Sequence, residues 1–224
     1  MTQQENQEET NKRALIFTGG TLGQWALDRI EEGDFLVGAD RGAAFLIENG
    51  RTPDLALGDF DSVSARQLER IRQISRQFIA FDAVDKDWTD SELALRETIS
   101  RGYRQVDLLG ALGTRFDHSF ANVQLLAYAN EQDCSLAIVD ERNEIRLCDS
   151  RMTLTFDPAY THVSLLPLTY EVKGITLTGF RYPLHEATIR AGASIGVSNV
   201  LDALSGTIAI TEGLLLVIRT RDTP

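Results

Sequence analysis

Positive charge is scarce in this chain of 224 residues. Its 22 lysines and arginines stand against 33 aspartates and glutamates, a net charge of −11. A general nucleic-acid binder needs a net positive face to meet a phosphate backbone, so the balance argues against that class. Local basic residues can still grip one small phosphate group. Cysteine is nearly missing too. Cys134 and Cys148 are the two present, both in apolar stretches that read as strands. Buried reduced thiols are expected there, which suits a reducing, cytoplasmic setting better than a disulfide framework. No apolar run reaches the length of a membrane span. Met1 to Asn11 lack the apolar stretch of a signal peptide, and residues 1–12 are expected to form a disordered polar tail. The dinucleotide fingerprint GxGxxG is also absent. Gly19-Gly20-Thr21-Leu22-Gly23 departs from it, so hydride transfer is rejected, although this segment can still shape a nucleotide pocket.

What the chain does have is enough apolar content, 43%, to bury a full core. Short continuous apolar runs recur in the first part: Ala14 to Phe17, Phe35 to Gly38, Leu55 to Leu57, Val106 to Leu109 and Leu136 to Val139. Amphipathic stretches lie between them, such as Ala65 to Ile74 and Asp90 to Ile99. Continuous strands alternating with helices predict a parallel sheet with helices on both faces. After about residue 150 the pattern changes to period-two alternation, as in Met152 to Phe156, Val172 to Leu177 and Thr207 to Thr211, with glycine and proline as punctuation. This predicts a small antiparallel sandwich. The expected organisation is therefore an α/β nucleotide-binding domain over residues 13–149 and an all-β sandwich over 150–224.

Ligands of parallel sheets bind beyond the carboxyl ends of the strands. Asp40, Asp59 and Gly110 all fall there in this reading. Two acidic segments stand out: Gly58-Asp59-Phe60-Asp61-Ser62 and Asp85-Lys86-Asp87-Trp88-Thr89-Asp90. Each carries an Asp-x-Asp pair, and in an extended chain such pairs point the same way. Thr89 and Glu92 fit a capping box that holds Asp90 at the mouth of a helix. For one pair, a solvated loop or helix cap is the better explanation. Two pairs plus a capped Asp90 reverse that preference. Convergent carboxylates repel by on the order of 4 kcal/mol per contacting pair near a protein surface, and a divalent cation removes the penalty. Oxygen ligands without histidine or cysteine suit Mg²⁺ and argue against zinc.

Gly110-Ala111-Leu112-Gly113-Thr114-Arg115-Phe116-Asp117-His118 follows a strand and precedes a helix expected from Asp117 to Tyr128. Its glycines free backbone amides for phosphate, and Arg115 offers a planar fork. An ordinary strand-to-helix turn with a surface arginine explains the segment about as well. Asp117 reads as the helix cap, while His118 has no role from the residues alone.

In this order the segments resemble the thiamine pyrophosphokinase family. The landmarks are Gly38-Ala39-Asp40-Arg41-Gly42, Pro53-Asp54, the two acidic segments, Gly110 to His118 with Asn122, Leu177 to Leu184, and Gly196-Val197-Ser198-Asn199. Thr114 stands where the family often has glycine. The resemblance implies a homodimer with its active site between subunits. It also implies transfer of pyrophosphate from ATP to the hydroxyl of thiamine, by attack on the β-phosphorus, leaving AMP. Carried over by position, Asp59, Asp61 and Asp90 hold Mg²⁺ and phosphate, with Asp87 assisting and Arg115 as a catalytic cation. The nucleotide would be met by Asp40, Arg41, Lys86, Thr89, Arg115, Asp117 and His118. Tyr182 would stack on thiamine, with Ser198 and Asn199 holding its pyrimidine. Asp90 and Asp117 both stay open as the group that orients the hydroxyl. A pyrophosphokinase acting on a pterin alcohol and a non-catalytic nucleotide- or thiamine-binding regulator are the alternative readings.

Overall fold

A computed structural model describes residues 12–81 and 88–222. Asp85, Lys86 and Asp87, all expected near the phosphate, lie outside the described residues. The chain divides into two compact units, Met1–Glu141 and Arg142–Pro224.

In the first unit the strands are β1 (Arg13–Phe17), β2 (Phe35–Ala39), β3 (Leu55–Gly58), β4 (Phe78–Ala80), β5 (Gln105–Leu109) and β6 (Ser135–Val139). They run in the order β4-β3-β2-β1-β5-β6, and each neighbouring pair is parallel. The helices are α1 (Gln24–Leu27), α2 (Arg41–Glu48), α3 (Ala65–Ile74), α4 (Asp90–Ser100) and α5 (Phe116–Glu131). The apolar runs form strands because both sides of the sheet are covered. Leu15 and Phe17 of β1 join Leu36, Leu109 and Val139 in one cluster with Ala26 of α1. Ala14 and Ile16, between and beside them, are equally inaccessible. A second cluster joins Ala43, Ala44 and Ile47 of α2 to Ala56 and to Ile71 of α3. Ser64 starts α3 with a full capping box: its hydroxyl accepts from Gln67 N, and Gln67 Oε1 accepts from Ser64 N.

The second unit contains two antiparallel sheets. One orders β7 (Asn143–Cys148), β13 (Leu215–Thr220) and β9 (His162–Pro167), with β13 central. The other orders β11 (Ala187–Arg190), β10 (Glu171–Thr178), β12 (Ser205–Ala209) and β8 (Arg151–Thr155). One apolar cluster draws Cys148, Leu165 and Val217 from the first sheet and Leu154, Val172, Ile189 and Ile208 from the second. That shared interior makes the unit a sandwich. The boundary expected at 149/150 differs from the observed division by the strand β7. Its ladder with β13, from Asn143 opposite Thr220 to Cys148 opposite Leu215, ties it to the second unit. Both cysteines are buried and free.

Candidate active site

The ends of β2 and β3 bring three carboxylates together. Asp40 follows β2 directly and Asp59 follows β3. One oxygen from each of Asp40, Asp59 and Asp61 lies within 4.8 Å of the others. The convergence is not reached by an extended segment with alternating side chains. Phe60 takes a left-handed conformation, φ 59°, and Asp61 N donates to Asp59 Oδ1 at 3.2 Å, so the chain turns between the two acids. Phe60 drives the turn. It is 4% exposed and stacks on Phe78 at 4.9 Å, which leaves its acidic neighbours outside the core. Gly58, at φ 144°, permits the approach; a Cβ there would sit 3.3 Å from Asp40 N.

Asp40 is also held in a strained conformation. Its φ of 50° and ψ of −116° are rarely adopted by a residue with a side chain, a cost of about 1–3 kcal/mol. It occupies the N-cap position of α2, a place aspartate commonly serves, yet its carboxylate makes no cap hydrogen bond. Oδ2 instead accepts from Ser62 Oγ, and Oδ1 is buried without a hydrogen-bond partner among the described residues. Burial pushes the Asp40 carboxyl above its ordinary range, and the charges of Asp90, Asp59 and Asp61 push the same way; the Ser62 hydrogen bond opposes them. An orphaned buried oxygen among oxygen-only donors fits a hard divalent cation. Asp40, expected as a nucleotide contact, therefore joins Asp59 and Asp61 in the metal-competent group.

Asp90 sits in the first turn of α4, close enough for its charge to act on Asp40. Thr89 forms its half of the expected capping box, accepting from Glu92 N at 3.2 Å, while Glu92 Oε1 receives Arg96 Nε at 2.9 Å. Arg41 donates from Nη2 to Gly19 O at 2.6 Å and so braces the Gly19-Gly20 turn. Gly20 N donates to Gly110 O at 3.0 Å. A Cβ on Gly20 would lie 2.0 Å from that same oxygen, so only glycine lets these two turns meet.

The glycine–arginine turn differs in detail from its expectation. Helix α5 begins at Phe116 with Arg115 as its N-cap, and Arg115 makes no side-chain cap. Asp117 is not the cap. It stands in the first turn, where the fork of Arg115 takes its carboxylate at 2.6 Å and 3.3 Å. This pairing holds the Asp117 carboxyl below its ordinary range. His118 is exposed beside it. Gly113 N is not free for phosphate, because it donates to Ser119 Oγ at 3.1 Å. Asn122, buried, donates from Nδ2 to Ala111 O at 2.7 Å and fixes the turn from below. Ser62 and Ser119 were the residues that sequence reasoning missed. A hydroxyl next to an Asp-x-Asp pair, or four residues into a helix after a glycine turn, was the available signal.

In the second unit, Tyr182 is 62% exposed and presents an open ring. Ser198 adopts φ 59° and its N donates to Ser164 Oγ at 3.0 Å. Asn199 was expected to face a ligand. It is instead 6% exposed, and its carboxamide is taken by backbone: Oδ1 accepts from Tyr182 N and Val200 N, and Nδ2 donates to Tyr182 O.

Comparison with known proteins follows the same division. Residues 27–138 match the family described as "Thiamin pyrophosphokinase, catalytic domain", and residues 150–215 match "Thiamin pyrophosphokinase, vitamin B1 binding domain". Thiamine pyrophosphokinase of Bacillus subtilis is 30% identical over 193 residues, covering 86% of this chain and 90% of that protein. The crystal structure of the Bacillus subtilis enzyme superposes with a TM-score of 0.88 at 28% identity, over 95% of this chain and all of that one. The Geobacillus thermodenitrificans thiamin pyrophosphokinase gives 0.85 at 35% identity, over 94% of this chain and 98% of that one. Two matched domains in the order of the two observed units, with one relative aligned along nearly its whole length, place this chain in the thiamine pyrophosphokinase family.

Proposed function

We propose that this chain is a thiamine pyrophosphokinase, moving the terminal pyrophosphoryl group of ATP to the hydroxyl of thiamine to give thiamine diphosphate and AMP. The observation that carries this reading is the Asp40–Asp59–Asp61 group with its orphaned Oδ1, in a chain of this family. The thiamine oxygen forms a bond to the β-phosphorus, the bond from that phosphorus to the α-phosphate bridging oxygen breaks, and the electron pair leaves with AMP. Bound magnesium supplies charge neutralisation for the phosphate oxygens. The residues that would hold it are Asp40, Asp59 and Asp61, with Asp90 adding charge from the first turn of α4.

The protein's part in such a transfer is positioning and electrostatic support. Arg115, 68% exposed in its side chain, exchanges Asp117 for phosphate when nucleotide arrives. Arg41 shapes the Gly19 turn against which the nucleotide lies, and Thr89 holds the mouth of α4. Asp87, Lys86 and His118 keep the assisting roles that the resemblance implies. Tyr182 offers its ring to the cationic acceptor, an attraction expected of an aromatic face. Ser198 keeps the pyrimidine-holding role that the resemblance implies, and Asn199, next to it in sequence, serves the acceptor pocket by fixing Tyr182. Asp90 or Asp117 orients the hydroxyl for attack.

The homodimer belongs to this reading. Phe116 and Phe120, stacked at 5.9 Å and 78% and 52% exposed, are large apolar rings left open on the first unit. Such exposure marks a surface that meets something else. Two buried free thiols fit a reducing, cytoplasmic compartment. Among the described residues no helix is long and apolar enough to cross a membrane.

The test is a product assay with ATP, Mg²⁺ and either thiamine or a pterin alcohol. Thiamine diphosphate and AMP in equal amounts support the proposal. ADP with thiamine monophosphate sinks attack at the β-phosphorus, turnover of the pterin alcohol alone reassigns the acceptor, and binding without AMP makes the chain a regulator.

A further inference from the structure

Arg96 lies on α4, about one and two-thirds turns beyond Asp90. Its guanidinium carbon is 4.7 Å from the ring centroid of Trp88 and 4.2 Å from that of Tyr128. Glu92 Oε1 takes both its Nε and its Nη2 at 2.9 Å. Helical support needs only the Glu92–Arg96 pair, which has the favourable i, i+4 order. The two rings are a separate matter, because they come from different elements. Trp88 directly precedes the Thr89 cap and Asp90, and Tyr128 lies on α5, the helix that starts beside Arg115. Trp88 is 44% exposed, and one of its faces is covered by the Arg96 guanidinium.

We propose that Arg96 is a positioning residue whose double stack clamps the Trp88–Asp90 corner to α5. Asp90 and the Arg115 turn are thereby kept in one register for a metal-bound nucleotide. The inference rests on the reading of Asp40, Asp59, Asp61 and Asp90 as a metal–nucleotide site. Cation–π contacts of partly exposed groups are modest singly, and two on one guanidinium give a supporting interaction worth about a tenfold change in affinity.

Magnesium binding is measured by calorimetry in the presence of α,β-methylene ATP, which blocks turnover. The variants are Arg96→Met, which keeps the stem, Trp88→Ala, Trp88→Phe and Asp90→Asn. Arg96→Met and Trp88→Ala are expected to weaken Mg²⁺ binding about tenfold. Trp88→Phe, which retains a face for the cation, stays within about threefold. The thiamine KM stays within about twofold in all three. In a Trp25→Phe background, leaving Trp88 as the one emitter, Arg96→Met also changes the Trp88 emission. Lowered thermal stability with unchanged Mg²⁺ affinity in Arg96→Met reduces Arg96 to a structural residue and overturns the inference. Equal damage from Trp88→Phe and Trp88→Ala overturns it as well. If Asp90→Asn binds Mg²⁺ like the unaltered protein, the site reading falls and the inference with it. If Asp90→Asn loses Mg²⁺ while Arg96→Met does not, the inference alone falls.

Discussion

Asn199 grips Tyr182 by its backbone at both ends, accepting from Tyr182 N at 3.1 Å and donating to Tyr182 O at 2.7 Å. The buried side chain thus reproduces one rung of a sheet ladder while the Tyr182 ring stays open. Asn199→Ala is expected to cost about 1–3 kcal/mol of stability, since it leaves backbone groups at Tyr182 without partners. It should also raise the thiamine KM several-fold more than the ATP KM. Denaturant melts and steady-state kinetics check both. Equal changes in the two KM values would deny Asn199 its positioning role.

Burial and the nearby charges of Asp90, Asp59 and Asp61 disfavour the ionised Asp40 carboxylate, so it is expected to oppose folding of the metal-free protein. Asp40→Asn is expected to raise metal-free stability by about 1–2 kcal/mol, as the new amide donates to the carboxylates it faces. The same substitution should abolish the rise in Tm that Mg²⁺ and nucleotide give the unaltered protein. A thermal scan with and without Mg²⁺ decides. A variant less stable than the parent in EDTA would contradict the account.

Gly20 and Gly113 make a matched pair. A Cβ at Gly20 would fall 2.0 Å from Gly110 O, while at Gly113 nothing lies within 4 Å. Gly20→Ala should destabilise by about 1–3 kcal/mol and lower nucleotide affinity, because the two turns must separate. Gly113→Ala should stay within about 0.5 kcal/mol of the parent. Parallel melts of the two variants are sufficient, and similar losses would show that the close approach is not what Gly20 provides.

Burial pushes the Cys134 thiol up to about 11 from an ordinary 9.0. The folded state therefore keeps the proton over a range where the unfolded state has released it. Stability on this account is fully present below pH 9 and declines as pH rises toward 11, the sign expected when the native state binds more protons. Cys134→Ala should flatten that decline. Both native thiols should also resist alkylation at pH 8 and react on unfolding. Rapid labelling of the folded protein would refute the buried assignment.

The first unit was readable because its strands are apolar on both sides. Leu55 to Leu57, for instance, admits few readings other than a covered parallel strand. Helix α3 was legible to the residue because Ser64 and Gln67 cap it through local hydrogen bonds. Strand β4 escaped notice: Phe78–Ala80 is three residues long and half exposed, and its pairing with β3 is a tertiary event. The ladder of β7 with β13 is not legible in the sequence, since pairing with residues some seventy positions away leaves no local trace. The Asp59-Phe60-Asp61 pattern is legible in the sequence. What stayed hidden was how the acids meet, because a left-handed Phe60 and an uncapping Asp40 depend on packing beneath them. The role of Asn199 was hidden for the same reason: a carboxamide reads as a ligand contact until the backbone opposite it is known.

Gly20 and Gly58 mark where main chain nearly touches main chain, and this bears on portability. An engineer who copied only the aspartates onto another parallel sheet would obtain acids that point apart, held off by the first side chain placed between the turns. The smallest transplantable piece is the set of bare strand ends with their glycines, onto which carboxylates can then be written.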